Sequence, residues 1–413
     1  MRIQVYSPGI PHTGYGRMGF AIIDALERNG AEIRLVNDYA AKIPDPAPNV
    51  LFMCPPQRPA GWYDGQRVSI LTMWESSELA FEHLTTVPVF DQVFVPSKQN
   101  LELFGAVNDN THLISLGCDY GVWNPTPRKP QRPFTVFTGG KGAHRKGFDI
   151  TLKVFRRFSD RVQAQGHPAP RLIIRGAANL SKRYEDVHVM DDYISDEEEA
   201  TLFEEAHVYM GLSRGEGWGM IPHQTIAQGI PTILTDAHGH AEFSHYGIGV
   251  PWHETTSLTD VVGRSGYWWE ADEDAAYEAL CNVYDNYEIE CRKAMLNAEM
   301  IREDLTWDKT AKQILSHMSN EKFFSPGEWQ YCPQYLLRVK VTQALDCFIG
   351  GTEHSFRPGK EYEVTADVKR VLYDANCLDP SCIDAQERAI YKKLGTIDVV
   401  PGTAILDEGQ LVA

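Results

Sequence analysis

The sequence predicts an α/β protein: two parallel-sheet units in tandem, followed by a smaller α+β appendage. Three observations carry this. Strand-like and helix-like segments alternate through about the first 320 residues, the pattern of parallel sheets covered by helices. Pro125, Pro127, Pro130 and Pro133 interrupt that alternation; proline fixes φ and lacks an N–H, so such a cluster reads as a linker. After Asn320 the alternation gives way to shorter segments with one wet face. The units are expected over 1–127, 128–320 and 321–413.

Within the first unit, Arg2–Tyr6 reads as a strand and Gly16–Asn29 as a helix, with Phe20, Ile23 and Leu26 at helical spacing. Glu32–Val36, Val50–Met53, Val68–Met73 and Gln92–Pro96 read as further strands. The second series opens with a strand at Phe134–Thr138 and a helix at Phe148–Gln163. That helix puts Leu152, Phe155, Phe158 and Val162 on one side, and Lys153, Arg157 and Arg161 line another. Leu172–Arg175, Val208–Leu212 and Pro231–Thr235 read as strands, Ser195 and Glu198 as a capping box, and Asp308–His317 as a final helix. In the appendage, Leu337, Val339 and Val341 alternate with polar residues. Phe356–Val364 reads as a hairpin turned at Pro358 and Gly359, with helices near Ala366–Ala375 and Asp384–Leu394.

Composition removes several classes. A chain of 413 residues with 43% hydrophobic content affords sizeable cores. No run of eighteen apolar residues exists, so no membrane span is expected. The N-terminus enters a strand without the apolar segment of a signal peptide, and the eight cysteines form no CxxC pair or zinc pattern. Reduced thiols in a cytoplasmic protein are expected. The net charge of −17 argues against a general nucleic-acid binder. The charge is uneven, however. Residues 128–183 hold fourteen Lys/Arg against Asp149 and Asp160 alone. Such a segment is either a solvated basic face or a site for an anion.

Three motifs carry chemistry. Ser7 to Gly16, which includes His12, Gly14 and Tyr15, joins a first strand to a first helix. Glycines there admit close backbone approach to a ligand, and a helix N-terminus favours negative charge. Gly14, Gly16 and Gly19 give G-x-G-x-x-G, but no acid ends a second strand at the distance a dinucleotide site requires. Thr138 to Gly147 holds Gly140, Lys141, His144, Arg145 and Lys146, again between strand and helix. A diphosphate leaving group needs fixed positive charge where its own charge develops, and this loop supplies it. It lacks the Gly-Lys-Ser/Thr of a Walker A loop. Ser213 to Thr235 places Glu216 on a glycine-rich loop at a strand's end, with Gln224 on the following helix. The C-terminal ends of strands are where α/β sheets bind ligands.

The third motif resembles the donor-site block of retaining glycosyltransferases of family four, whose pattern is E-G-[FW]-G-x-x-x-x-E-A-x-A-x-G-x-P. Glu216, Gly217, Trp218, Gly219, Ala227, Gly229 and Pro231 match it. Lys141 and Lys146 fall where the family keeps its diphosphate-binding pair. Val95–Ser97, Leu116–Asp119 and Trp307 resemble further family segments. The resemblance spans about residues 1–318 and implies a GT-B fold, two Rossmann-like domains facing a cleft. It implies a retaining hexosyltransferase that takes a UDP-glucose-like nucleotide sugar, with no metal and no cofactor. Glu216, Lys146 and Lys141 would be the catalytic groups. Gly14, Tyr15, Gly16, Gly140, Arg145, Tyr193, Ile194, Gly217, Trp218, Gly219 and Gln224 would hold the donor, with the glycine loop at Gly14–Gly16 closing over its phosphates. Glu75, His12 and Glu242 are candidates for sugar or acceptor. One departure is chemical: the family's second glutamate is Gln224 here, so one carboxylate is replaced by a neutral carbonyl acceptor.

Other readings bound this one. Asp272 and Asp274 form a DxD, but they open a helix, where acids complement the dipole. His238 and His240 lack the carboxylates of a metal site. The acceptor is a hydroxyl, small or protein-borne, or that of a hydroxymethylated DNA base as in a viral member of the family. The basic segment and the Lys153/Arg157/Arg161 stripe favour DNA, and the overall acidity counts against it. Gln224 also admits a non-catalytic nucleotide-sugar sensor. A phosphorylase would need a pyridoxal lysine, for which no position stands out. Residues 321–413 would dock an acceptor or a second subunit.

Overall fold

The computed structural model describes residues 1–7, 13–36, 47–56, 66–127, 133–141, 144–176, 187–190, 194–257, 266–319, 337–340, 342, 345–349, 352–364, 404–405 and 411–412. The first unit is a six-stranded parallel sheet in the order β2–β1–β3–β4–β5–β6. The strands are β1 (Arg2–Tyr6), β2 (Glu32–Val36), β3 (Asn49–Met53), β4 (Arg67–Leu71), β5 (Gln92–Val95) and β6 (Thr111–Leu113). Helices α1 (Gly14–Arg28), α2 (Phe81–Thr86) and α3 (Lys98–Gly105) accompany them. Strand β3 shows why its segment is apolar from Val50 to Met53. Val50 and Phe52 join one core with Ile70 and Val93, while Leu51 and Met53 join another with Val5, Leu71 and α1. A parallel sheet covered on both faces needs apolar residues on both.

Helix α1 starts two residues earlier than the sequence predicts, because Thr13 caps it by accepting from the Gly16 N–H at 3.0 Å. Phe20 is a further difference. It is 43% exposed, since the inward stripe is Met18, Ile22, Ala25 and Leu26. Phe20 lies about 200° around the helix from both Met18 and Ile22.

The second unit repeats the plan in the order β12–β11–β10–β7–β8–β9. Its strands are β7 (Thr135–Gly139), β8 (Arg171–Arg175), β9 (Val187–Met190), β10 (Val208–Gly211), β11 (Thr232–Thr235) and β12 (Ile248–Val250). Helices α4 (Phe148–Ala164), α5 (Asp196–Phe203) and α6 (Met220–Ala227) accompany them. An antiparallel ribbon, β13 (Trp252–Thr256) with β14 (Tyr267–Ala271), then leads to α7 (Glu273–Asp285), α8 (Tyr287–Asp304) and α9 (Trp307–Ser319). The Ser195/Glu198 capping box forms. Asp272 caps α7, its side chain accepting from the Ala275 N–H at 2.8 Å, so the DxD is a helix start.

The last helix among the described residues returns to the first unit. Helix α9 packs on α1, where Asp308 accepts from Asn29 at 3.1 Å and from Arg28 at 3.0 Å. Gln92 donates to the His317 carbonyl at 3.0 Å. The two units together match the expected pair of Rossmann-like domains.

The cationic stripe on α4 does not stand free. Arg157 meets Asp274 at 2.6 Å, Arg161 meets Asp285 at 2.7 Å, and Lys153 meets Glu273 at 3.5 Å. Helix α7 therefore supplies an acid for each of the three cations.

In the appendage, β15 (Leu337–Lys340) pairs antiparallel with β18 (Glu361–Val364), and β16 (Leu345–Ile349) pairs antiparallel with β17 (Thr352–Phe356). Short strands β19 (Ala404–Ile405) and β20 (Leu411–Val412) extend the second pair. The expected hairpin at Pro358 and Gly359 is thus a connection between two ladders, since β17 and β18 do not pair with each other. Val341 and the helices expected near Ala366–Ala375 and Asp384–Leu394 lie outside the described residues. Among the described residues, no helix is long and apolar enough to cross a membrane.

Candidate active site

The C-terminal ends of β7 and β10 face the C-terminal end of β4, and the predicted residues meet there. After β7 the chain reaches Gly140, with φ +134 and a position against the Lys146 side chain that leaves no room for a Cβ. Lys146 then pairs with one oxygen of Glu216. Arg145 NH1 lies 3.3 Å from the other oxygen and donates to the Gly215 carbonyl at 2.5 Å. Glu216 is 6% exposed. Burial alone would raise its carboxyl, but Lys146 and Arg145 outweigh that and hold it below the usual carboxylate range. The result is a charged, nearly dry cluster at the strand ends of an α/β unit.

This cluster is held by a residue that sequence reasoning passed over. Arg214 is 2% exposed. It binds both oxygens of Asp149 at 2.8 and 2.7 Å, Glu270 at 2.7 Å, and the His144 carbonyl at 2.5 Å. Its own N–H donates to the Arg145 carbonyl at 2.7 Å. Arg214 thus ties the basic loop to the start of α4 and to β14. Nothing in the spacing of Ser213 to Gly217 distinguishes this arginine from a solvent-facing one; its partners are 65 and 56 residues away.

The other predicted residues divide clearly. Gln224 is 3% exposed, and its side-chain carbonyl oxygen has no partner. Gly217 lies against the Met73 side chain, and Gly219 has φ +104 at the start of α6. The Trp218 side chain faces away, into the core. Its indole N–H donates to His223 Nδ1 at 3.2 Å and its ring packs on Phe243, so only its main chain is available to a ligand. Lys141 is exposed, and Ile194 is half-buried just before the capping box.

Gly14 and Gly16 are in the first turn of α1 rather than in a loop, and nothing approaches Gly14. The glycine loop expected to close over phosphates is therefore a helix start at these two positions. The Tyr15 hydroxyl accepts from the Met73 N–H at 3.1 Å, and burial pushes its hydroxyl well up. The Glu242 carboxylate accepts from the Lys98 N–H at 2.6 Å, at the N-terminus of α3 in the first unit. A carboxylate there complements the helix dipole. His12 and Tyr193 lie outside the described residues.

Glu75, from the first unit, does reach the cluster. Its carboxylate is 3.1 Å from Arg145 NH1. The side chain keeps 40% of its surface open to the cleft. Dense protein on either side nevertheless raises its carboxyl, with Arg145 offsetting part of the effect and Glu216 adding to it.

His238 and His223 are buried and hydrogen-bonded. His238 is the one non-glycine residue with positive φ, +44, among the described residues, and its Nε2 lies 3.0 Å from the Ser213 carbonyl. Burial keeps His238 and His223 neutral, their pKa values lowered to about 4 and about 3. Among the described residues, no group of three or more His, Cys, Asp or Glu side chains is placed to hold a metal ion.

Two parallel units meeting at a cationic cluster, with α9 returned to the first unit, define the GT-B class of glycosyltransferases. The family comparison agrees. The profile of "Family 4 Glycosyltransferase in conflict systems" matches residues 98–314, more than half of the chain, and the chain belongs to that family. It is a glycosyltransferase. A search of curated protein sequences gave no match.

Solved structures show the same fold at low identity. Sucrose-phosphate synthase from Thermosynechococcus elongatus is 14% identical with a TM-score of 0.57, over 76% of this chain and 98% of that one. WaaG, a glycosyltransferase involved in lipopolysaccharide biosynthesis, is 10% identical with a TM-score of 0.54, over 77% and 100%. The catalytic domain of starch synthase IV from Arabidopsis thaliana, bound to ADP and acarbose, is 10% identical with a TM-score of 0.52, over 76% and 98%.

Proposed function

We propose that the chain moves a hexose from a nucleoside-diphosphate sugar to a hydroxyl acceptor, with retention of configuration and without a metal ion. The observation that carries this is the Lys146–Glu216–Arg145 cluster at the strand ends. Lys146 and Arg145 stabilise the charge that builds on the leaving diphosphate as the sugar becomes oxocarbenium-like. Lys141 joins them from the open side of the loop. Glu216, kept ionised by the two cations, accepts hydrogen bonds from sugar hydroxyls. The unpartnered carbonyl oxygen of Gln224 supports its role toward the ribose, because a hydroxyl donor would satisfy a buried acceptor that is otherwise left unpaired. The ADP in the starch synthase structure and the UDP-2-fluoro glucose in a structure from E. coli agree with a nucleotide-sugar donor.

A small or protein-borne hydroxyl is the acceptor we favour. The DNA reading rests on the basic segment, and the acids of α7 take up its stripe of Lys153, Arg157 and Arg161. A thermal-shift screen of nucleotide sugars tests the donor assignment, since a ligand that binds only the native state raises the melting temperature. A rise with one nucleotide sugar, lost in Lys146→Ala, is expected. No shift with any member of the UDP, GDP, ADP and dTDP series refutes it.

A further inference from the structure

Arg145 is the meeting point of the two units. Its NH1 carries two hydrogens and faces three oxygens: the Gly215 carbonyl at 2.5 Å, Glu75 at 3.1 Å and Glu216 at 3.3 Å. Two of these belong to the second unit, whereas Glu75 comes from the first. We propose that Glu75 is an internal anion: it occupies Arg145 when no ligand is bound, and a diphosphate must displace it to reach that guanidinium. The proposal rests on the donor-site reading above and adds a residue that sets which ligands the site admits.

The placement of Glu75 is built rather than incidental. Asn100, fully buried on α3, accepts from the Trp74 N–H at 2.6 Å and donates to the Trp74 carbonyl at 3.0 Å. Gln99 donates to the Ser76 carbonyl at 2.9 Å. Ser77 is joined to Tyr267 of β14 twice: its N–H donates to the Tyr267 carbonyl at 3.1 Å and its hydroxyl accepts from the Tyr267 N–H at 2.8 Å. Gly215 has no side chain because the Glu75 carbonyl oxygen lies where its Cβ would be. Residues 74–77 therefore form a strap held at both sides, with one carboxylate aimed across the cleft.

The chemistry follows from charge. Glu216 is retained by Lys146 as well as Arg145, so it stays when an anion arrives. Glu75 pairs directly with Arg145 alone among the described residues, feels Lys146 only at longer range, and its side chain is 40% exposed against 8% for Glu216, so it is the group that leaves. Any anion that takes Arg145 bears the cost of that exchange. A diphosphate, which also reaches Lys146, recovers it; a weakly charged anion does not and is kept off the site.

The test is calorimetric titration of the full chain and Glu75→Gln with inorganic pyrophosphate, UDP and uridine at one pH and salt concentration. Glu75→Gln keeps the side chain's shape and removes its charge. Pyrophosphate and UDP are expected to bind the variant roughly two- to fivefold tighter, the upper part of the range of solvent-exposed ion pairs, and uridine equally. Glu75→Ala is expected to shift affinity the same way, and the gain is expected to vanish when Arg145→Met is the background. Equal affinity of UDP for the full chain and both variants would overturn the proposal while leaving the donor site standing. Absence of UDP and pyrophosphate binding in all of them would remove the donor-site reading and the proposal with it.

Discussion

Replacing Arg214 should damage both stability and transfer, and the structure sets the scale. The guanidinium is 2% exposed and satisfied by Asp149 through two bonds of 2.8 and 2.7 Å, by Glu270 at 2.7 Å and by the His144 carbonyl at 2.5 Å. Removing one member of a buried ion pair costs about 3–5 kcal/mol, because its partner is left uncompensated. Here the two partners are 46% and 28% exposed, so water recovers part of the loss. We expect Arg214→Met to cost about 2–4 kcal/mol, read as a shift of the urea unfolding midpoint. Arg214→Lys keeps the charge but not the bidentate fork, and should recover less than half.

The functional loss should be larger than the stability loss suggests. Without Arg214 the loop of residues 144–146 loses its anchors, and a 1 Å misplacement of catalytic groups costs about a hundredfold. A fall in kcat of that order, at a temperature where the variant is folded, is the expected result. Wild-type stability and kcat in Arg214→Lys would refute the claim that this network positions the basic loop.

Two other perturbations have defined outcomes. Gly147 has φ +66 and sits where a Cβ would lie 1.9 Å from the Leu212 carbonyl oxygen, so Gly147→Ala combines left-handed strain with a main-chain clash. A loss of at least about 3 kcal/mol is expected by thermal melting, and a change under about 1 kcal/mol would contradict the geometry. Buried His223 and His238, at about 3 and about 4, stay neutral where the unfolded chain would take up a proton. Their folded values are depressed, so the native state loses stability as pH falls below about 6.5, by roughly 2 kcal/mol each at pH 5. In His223→Phe the slope of stability against pH between 6.5 and 5 should shrink; an unchanged slope would exclude this histidine as a source.

What the sequence made legible follows from locality. The strand-to-helix loops carrying Lys146 and Glu216, the capping box at Ser195 and the DxD at Asp272 are short-range patterns whose meaning is settled within a few residues. That Glu216, Lys146 and Arg145 serve one site was legible only through a known donor-site pattern, and their ion pairing was not part of that expectation. Arg214 joins residues from α4 and β14 that no spacing rule connects. Glu75 was a candidate for sugar or acceptor, and its ion pair with Arg145 depends on how the two units close. The Lys153, Arg157 and Arg161 stripe is another long-range case. Its charge was visible in the sequence, but the acids that neutralise it lie more than a hundred residues later.

The central claim is that Lys146 and Glu216 form the donor end of a sugar-transfer site. Single-turnover transfer from the nucleotide sugar selected by thermal shift tests it most directly, comparing the full chain with Lys146→Ala at saturating donor. The account predicts that the rate of sugar release falls at least about a hundredfold in the variant while the fold is retained, because removal of one such stabilising donor costs that much. An undiminished rate in Lys146→Ala would contradict it.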